Sequence, residues 1–341
     1  MPDLIDDHDI DRLVTRVAGW RPGDLAERCA GASGLGADDF RHPAGSFDGR
    51  ICAVDGSNTT LLRTGSAHWV AARAGASIFS GNRPAGQKIT PLRVVQVGVN
   101  RESPEFEDLF CDCFGEPPTS PLRGEDYQQG GSVIRDTIEY WAIRELIREL
   151  AAGDLLCIDG ALRVSHAAHL PVMDTVITEA AARGVGIVAV SKQTSATWDG
   201  GYPLIPAISA LASREGVRAP WYVKIPQGFL DQRVHEEWRR GETCVARLHP
   251  RARMAFKIEV PAGATETAID RTVSACAACA GDGRLPGYPF PLMDAHLLAT
   301  ITAAATDDLL GRIIARMGAA GIDQTTFHEV FGDIHDEFAR Y

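Results

Sequence analysis

Short blocks of apolar residues, broken by glycine or asparagine, follow a helical start to the chain. Between residues 51 and 100 the blocks are ICAVDG, TLLRTG, HWVAARAGASIFSG and PLRVVQVGVN. Runs of this composition are typical of β-strands, and their close spacing predicts a sheet that begins with antiparallel strands. Upstream, residues 6–30 have the apolar spacing of an amphipathic helix that is interrupted near Arg21-Pro22-Gly23, and a loop rich in glycine and aspartate follows.

Helical periodicity begins in the middle of the chain. Apolar residues recur at helical spacing from Val133 to Leu150, and a second helix is predicted around Val172–Arg183. The runs DLLCIDG and GVGIVAVSK each follow one of these helices, and the latter is typical of a parallel strand buried on both faces. WYVKI and MAFKIEV are further strand candidates, and from Pro289 to Phe338 the pattern is mainly helical. Together these elements predict an α/β fold.

Composition narrows the class of protein. The 341 residues are 45% hydrophobic, which is enough for one large domain or two with a substantial core. No stretch approaches the roughly 18 consecutive apolar residues of a membrane span, and the N-terminus MPDLIDDHDI is acidic where a signal peptide would be basic. We therefore expect a soluble cytoplasmic protein that does not contact a membrane.

The eight cysteines are expected to be reduced thiols in that compartment. Cys111-x-Cys113 and Cys276-x-x-Cys279 would together supply four soft metal ligands. Their spacings differ and they lie far apart in the sequence, so small buried helix residues are favoured over a zinc or iron–sulfur site. The glycine-rich pieces GASGLG and GVGIV match neither a Walker loop nor a dinucleotide-binding turn.

The formal net charge of −11 argues against a protein that coats nucleic acid by electrostatics alone. Residues 211–257 are locally basic, with ten basic and five acidic side chains. Within them, RVHEEWRRGE alternates in sign and suits a solvated helix, whereas RLHPRARMAFK has no compensating acids. The latter is the candidate for phosphate contact, through Arg247, Arg251, Arg253 and Lys257.

Two apolar runs end in the same Asp-Gly pair, at Asp55 and at Asp159. Taken singly, Asp-Gly between apolar runs is a common hairpin turn. Its repetition at two predicted strand ends favours a two-metal site, because hard divalent cations bind carboxylate oxygens and two such ions promote cleavage of a phosphodiester. Ser57 either tightens the Asp55 turn or hydrogen-bonds a water at the metal.

A third carboxylate is expected from the helix that precedes Asp159. Glu145 and Glu149 are interleaved with Arg144 and Arg148, which is the pattern of a solvated face. Glu139 lies outside that pattern and is the better candidate, with Glu145 as the alternative.

These pieces, taken in order, resemble a known family. AVDGS, the helical Glu139, CIDGAL, the strand-ending VSK at Val190–Lys192 and the late GYPFPLMDAH are similar to the NurA nucleases over about residues 51–300. The resemblance implies an α/β fold with a ribonuclease H-like (PIWI-like) core and a mixed sheet, flanked by N-terminal and C-terminal helices. It divides the chain into a leader at 1–48, a nuclease core at 49–300 and C-terminal helices packed on the core at 301–341.

The resemblance also assigns site residues. It implies metal binding by Asp55, Glu139, Asp159 and His296, and catalytic roles for Tyr288 and Lys192 beside them. Without the family pattern, His296 reads as an ordinary surface or core histidine and Tyr288 as the anchor of a turn. Asp294 and His296 are not expected to share an ion, since residues i and i+2 of a helix point to nearly opposite sides.

The activity that the resemblance implies is that of a metal-dependent DNA nuclease with 5′-to-3′ exonuclease and single-strand endonuclease activity. Its expected cofactor is Mn²⁺ or Mg²⁺, with two ions per site. The expected partners are DNA, a hexameric ATPase of the HerA type in DNA end resection, and a second copy of the chain. Two alternatives remain open: a ribonuclease H-like module that binds nucleic acid or loads the ATPase without cutting, and a phosphotransferase with a related fold.

Overall fold

The computed structural model describes residues 7–18, 20–64, 66–81, 83–98, 103–232 and 234–332. They form two compact units. Unit 1 comprises Met1–Asp48, Ile158–Leu162 and Gly186–Phe290, and unit 2 comprises Gly49–Cys157, Arg163–Val185 and Pro291–Tyr341. In the part of the chain that the structure describes, no helix is long and apolar enough to cross a membrane.

The chain combines helices and strands, as the apolar pattern predicts. The helices are α1 (Asp7–Ala18), α2 (Pro22–Ser33), α3 (Pro104–Phe114), α4 (Gly130–Ile147), α5 (Leu170–Arg183), α6 (Leu204–Arg214), α7 (Glu266–Ala278), α8 (Phe290–Ala299), α9 (Ala303–Ala319) and α10 (Gln324–Phe331). The strands are β1 (Arg50–Arg63), β2 (Ala67–Ser80), β3 (Arg83–Ile89), β4 (Arg93–Gly98), β5 (Leu155–Asp159), β6 (Gly186–Ser191), β7 (Thr197–Trp198), β8 (Tyr202–Pro203), β9 (Trp221–Lys224), β10 (Gly241–Arg247) and β11 (Phe256–Pro261).

Unit 2 is built on a sheet with the strand order β3-β2-β1-β5. The long strands β1 and β2 pair antiparallel, and β3 and β4 pair antiparallel with successive parts of β2. The expectation that the sheet begins with antiparallel strands is therefore confirmed. Helix α4 packs on β1 and β2 through buried apolar residues that include Val133, Ile134 and Ile138, so burial of its apolar face holds this helix on the sheet.

The prediction that the first strand ends at Asp55 is wrong. β1 continues through Asp55 and Gly56 to Arg63, and its register with β2 is unbroken from Arg50 to Thr60. TLLRTG is consequently the end of β1 and not a separate strand. Asp-Gly is neither a turn nor a strand end here, so Ser57 has no turn to tighten; its Oγ accepts a hydrogen bond from the backbone N–H of Ile301 at 3.4 Å.

Unit 1 contains the strands β6, β11, β10 and β9 in that order, with β6 beside the last residues of β5. β6 pairs antiparallel with β11, β11 with β10, and β10 with β9. An apolar cluster that includes Leu25, Trp198, Ile208 and Trp221 joins α2 and α6 to this sheet. The prediction of a solvated helix for RVHEEWRRGE is wrong: among the described residues of this stretch, only the single turn Glu236–Trp238 is helical, and β10 begins at Gly241.

Candidate active site

Asp55 and His296 form a direct contact within unit 2. His296 Nδ1 lies 2.6 Å from Asp55 Oδ2. The Asp55 side chain is buried with 10% of its surface exposed, whereas 53% of the His296 side chain is exposed. The carboxylate and the imidazole each offer a ligand atom at one point near the surface, and such a donor set suits a divalent metal ion.

Two residues of β2 hold α8, the helix that carries His296, in place. Arg73 donates hydrogen bonds from Nε to the carbonyl oxygen of Ala299 at 2.9 Å and from Nη2 to that of Thr300 at 2.5 Å. Ser77 Oγ donates to the carbonyl oxygen of Pro291 at 2.6 Å. Both ends of α8 are thus tied to β2 by side chains that satisfy backbone oxygens.

Gly75 lets α8 approach the sheet closely. It is the β2 partner of Asp55, and directly paired residues face the same side of a sheet. A Cβ atom at Gly75 would lie 2.7 Å from the backbone nitrogen of Ala299 and 3.0 Å from the carbonyl oxygen of Ala295. Only glycine fits this position, and its absent side chain is what brings His296 within reach of Asp55.

Glu139 is buried on α4, with 5% of the residue exposed. A Cβ atom at Gly56 would lie 2.7 Å from Glu139 Oε2 and 2.8 Å from Arg135 Cγ. Since neighbouring residues of a strand point to opposite faces, Glu139 approaches β1 from the side opposite to the Asp55 side chain. The alternative, Glu145, is about half exposed and pairs with Arg148 at 2.5 Å, as expected for a solvated face.

In unit 1, three of the residues assigned from the sequence lie together. The Lys192 ammonium is 2.5 Å from Asp159 Oδ2, and the Tyr288 hydroxyl donates to Asp159 Oδ1 at 3.2 Å. Lys192 Nζ also lies 5.9 Å from the centre of the Tyr288 ring, within the range of a cation–π contact. Both oxygens of Asp159 are therefore oriented by neighbouring side chains.

The turn after Asp159 is held by β6. Gly160 has a φ of +110°, which glycine adopts without strain. Its N–H donates to the carbonyl oxygen of Val190 at 3.0 Å, and its carbonyl oxygen accepts from Ser191 Oγ at 2.6 Å. The second Asp-Gly pair therefore does end a strand, as the sequence predicts.

The four basic residues assigned to phosphate contact have different surroundings. Arg251 and Arg253 are exposed. Arg247 is half-buried and donates from Nε to the carbonyl oxygen of Ala252 at 3.0 Å. Lys257 is buried, with Nζ 3.1 Å from Glu259 Oε2, so its charge is compensated within the protein. Of the four, Arg251 and Arg253 are therefore the better placed to contact phosphate.

The sequence reasoning missed a polar network on α4. Arg135 donates from Nε and Nη2 to Asp136 Oδ1 at 2.9 and 2.6 Å, and Ser165 Oγ donates to Asp136 Oδ2 at 2.5 Å. Burial lowers the pKa of the Arg135 guanidinium, but the negative charges of Asp136 and Glu139 outweigh it and raise that pKa above its ordinary value. The one sequence signal was the position of Arg135, four residues before Glu139 on the same helix face.

Sequence comparisons return no match: no family model matches the chain, and no curated protein does. Comparison with solved structures does return matches. The crystal structure of the NurA nuclease from Sulfolobus solfataricus superposes with a TM-score of 0.58 at 12% identity, covering 92% of this chain and 95% of that chain. The chain thus has a NurA-like fold, a mixed α/β fold of the ribonuclease H type, as the sequence predicts.

Two endonuclease V structures superpose less well. The catalytic domain of human endonuclease V has a TM-score of 0.38 at 15% identity, covering 83% of this chain and 88% of that chain. A complex of Ciona intestinalis endonuclease V with inosine-containing DNA also has a TM-score of 0.38, at 12% identity, covering 91% of this chain and all of that chain.

Proposed function

We propose that the protein is a divalent-metal-dependent DNA nuclease whose metal ligands are Asp55, Glu139, Asp159 and His296. The observation that carries the proposal is the contact between His296 Nδ1 and Asp55 Oδ2, because it joins two candidate ligands at one point. Glu139 is retained from the sequence resemblance alone, since its carboxylate lies beside Gly56 on the face of β1 opposite to the Asp55 side chain. Asp159 is retained as the third carboxylate from the sequence resemblance, and it is the last residue of β5.

The bound ions, two Mn²⁺ or Mg²⁺, would lower the pKa of the attacking water and stabilise charge on the departing 3′ oxygen. The chain's own residues bind and orient. Asp55 fixes the orientation of the half-exposed His296 through Nδ1, and the imidazole either binds an ion or, if it does not, orients the attacking water and accepts its proton. Tyr288 and Lys192 hold the two oxygens of Asp159, and Lys192 balances charge near the phosphate.

The finer parts of the proposal follow from the resemblance to NurA nucleases. They are 5′-to-3′ exonuclease and single-strand endonuclease activity, action as a homodimer, and work beside a HerA-type ATPase in DNA end resection. The charge of the chain supports such a partner: with a net charge of −11, the protein gains little general attraction to DNA and benefits from a motor that delivers the strand.

The decisive experiment compares cleavage of 5′-labelled and 3′-labelled single-stranded and double-stranded DNA in Mn²⁺, Mg²⁺ and EDTA. We expect metal-dependent cutting that is lost in Asp55→Ala and Asp159→Ala, with the label pattern assigning polarity. Glu145→Ala is the control, because it also removes a carboxylate, but an exposed one that pairs with Arg148. Circular dichroism confirms that each variant is folded.

The same experiment has an outcome that contradicts the proposal. The wild-type protein could bind DNA but fail to cut it with any of the metals, with or without a HerA-type ATPase. That result would replace the nuclease proposal with the alternative of a module that binds nucleic acid without cutting. Equal cutting by the wild type and both aspartate variants would remove Asp55 and Asp159 from the site.

A further inference from the structure

Glu259 is a buried carboxylate of β11, with 3% of the residue exposed. Its Oε2 accepts a hydrogen bond from the backbone N–H of Leu162 at 2.9 Å and lies 3.1 Å from Lys257 Nζ. Its Oε1 accepts from Thr243 Oγ1 at 3.4 Å and lies 3.5 Å from Arg239 Nε. Because a charged carboxylate is stable inside a protein only with partners of this kind, both oxygens are held in fixed directions.

Leu162, the residue that Glu259 contacts, is held tightly against the start of β10. Its N–H donates to Glu259, and its carbonyl oxygen accepts from the backbone N–H of Arg240 at 2.7 Å. A Cβ atom at Gly241 would lie 2.9 Å from Leu162 Cβ, so glycine at that position allows the close approach. Of the two hydrogen bonds, the one to Glu259 involves a side chain, and a substitution can therefore remove it.

Leu162 belongs to the same short segment as Asp159. Hydrogen bonds to β6 hold Gly160 on one side of this segment, and Glu259 holds Leu162 on the other, with only Ala161 between them. Gly160 has a φ of +110°, and a glycine can adopt many other backbone conformations, so a turn through it needs a fixed point on its far side. Glu259 supplies that point.

We propose that Glu259 is a positioning residue for Asp159, acting through the backbone of Leu162, with Lys257 as its buried counter-ion. The inference rests on the proposed function, because Asp159 is one of the metal ligands proposed there. Glu259 fixes the segment that directs the Asp159 carboxylate toward its own partners, Lys192 and Tyr288. Lys257 thereby serves the candidate site from inside the sheet and not by contacting phosphate.

Two double variants separate the hydrogen bond to Leu162 from the buried charges. Removing Glu259 alone would leave the charge of Lys257 buried without its partner and would destabilise the fold, so Lys257→Met accompanies each change. Glu259→Gln with Lys257→Met keeps a side-chain oxygen that can accept from the Leu162 N–H. Glu259→Leu with Lys257→Met does not, although it removes the same two charges.

Hydrogen–deuterium exchange in EDTA measures how often residues 158–162 open, and the electron paramagnetic resonance signal of free Mn²⁺ gives the metal affinity. We expect the glutamine variant to match the wild type in both measurements. We expect the leucine variant to exchange faster at residues 158–162 and to bind Mn²⁺ about tenfold more weakly, as for other residues that orient metal ligands. Melting midpoints in EDTA, where no metal contributes, report on stability separately.

Glu242→Leu with Lys224→Met is the matched control. Glu242 Oε1 accepts from the backbone N–H of Gly263 at 3.0 Å, and Glu242 Oε2 lies 2.6 Å from Lys224 Nζ. This pair therefore makes the same kinds of contact as Glu259 and Lys257, but it holds the turn after β11. We expect the control to match the wild type in Mn²⁺ affinity and in exchange at residues 158–162.

Equal Mn²⁺ affinity in the glutamine and leucine variants would overturn the inference while the nuclease proposal stands. A lowered melting midpoint in the leucine variant, with unchanged Mn²⁺ affinity of the folded protein, would assign Glu259 to stability alone and would overturn it too. A wild-type protein that neither binds Mn²⁺ nor cuts DNA would contradict the proposed function and the inference with it.

Discussion

His296 Nδ1 lies 2.6 Å from Asp55 Oδ2, although 241 residues separate the two along the chain. Asp55 is fixed inside a paired strand, and His296 is fixed by a helix whose two ends are tied to the neighbouring strand. Because neither backbone is a free loop, the two side chains are held together before any ligand arrives. Such preorganisation is what a metal site with catalytic function requires.

This contact predicts the effect of removing either partner. We expect Asp55→Ala and His296→Ala each to reduce the single-turnover cleavage rate by about 100-fold or more, since loss of a ligand or of a proton-transfer group has effects of this size. His328→Ala, which removes an exposed histidine of α10, should cut like the wild type. Unimpaired cutting by His296→Ala at saturating Mn²⁺ would exclude His296 from the site.

Because α8 packs closely over Gly75, we expect a substitution there to reduce activity although Gly75 is not a candidate metal ligand. In Gly75→Ala the new Cβ meets the backbone of Ala299 and Ala295, so α8 must shift and His296 must leave Asp55. We expect cleavage to be lost and the free energy of unfolding to fall by about 1–3 kcal/mol, as for other overpacked sites.

Gly86→Ala is the matched control for this change. Gly86 is also a strand glycine, but a Cβ there would meet only Ile78 side-chain atoms at 3.6 Å, an ordinary contact. We expect wild-type cleavage and a similar melting midpoint. If Gly75→Ala cuts as well as Gly86→Ala, then the close approach of α8 is not needed for activity.

His169 is a buried histidine that is not a candidate ligand, and it should make the stability of the fold sensitive to acid. His169 is fully buried, and burial lowers its pKa from 6.5 to about 3, with a smaller contribution from His166. The hydroxyl of Thr137 donates to Val133, so Thr137 Oγ1 accepts from His169 Nε2–H at 2.8 Å. Nδ1 has no hydrogen-bond partner among the described residues, so a proton there is disfavoured.

The sign of the pH effect follows from this pKa. Below pH 6.5 the unfolded chain takes up a proton at His169, whereas the folded protein does not until about pH 3. The free energy of unfolding should therefore decrease as the pH is lowered from 6.5 to about 3. His169 contributes at most about 1.4 kcal/mol per pH unit to this decrease. His169→Gln should flatten the slope measured by urea unfolding, and the exposed control His328→Gln should not. Equal slopes in all three proteins would refute the assignment.

The exposed arginines of the basic segment predict a salt-dependent effect on DNA binding. Arg251→Gln with Arg253→Gln should weaken binding at low salt and reduce the slope of log affinity against log salt by about 2, if each arginine contacts one phosphate. Fluorescence anisotropy with labelled single-stranded DNA, measured at several salt concentrations, gives both the affinity and the slope. Arg284→Gln removes another exposed arginine, one paired with Asp282, and should leave the slope unchanged; a similar loss in this control would point to general charge and not to a specific contact.

Which elements were predictable depended on how they are buried. The first half of β1, β2 and β6 are rich in apolar residues, because these stretches are largely buried, and the sequence indicates them clearly. β3, with the sequence RPAGQKI, was not predicted, since six of its seven residues are exposed and no apolar pattern is imposed on it. β10, with the sequence GETCVAR, was not predicted, because the charged residues around it mask its apolar pattern.

The sequence by itself determined the presence of the buried strands β1, β2 and β6, the antiparallel start of the sheet and the candidate carboxylates, since burial within one element leaves a local, periodic trace. Only the tertiary structure decided what the first Asp-Gly pair is for. Gly56 is there because α4 brings Glu139 and Arg135 against β1, not because the chain turns. The contact of Asp55 with His296 and the grip of Ser165 on Asp136 likewise depend on contacts between distant segments, and no local pattern encodes these.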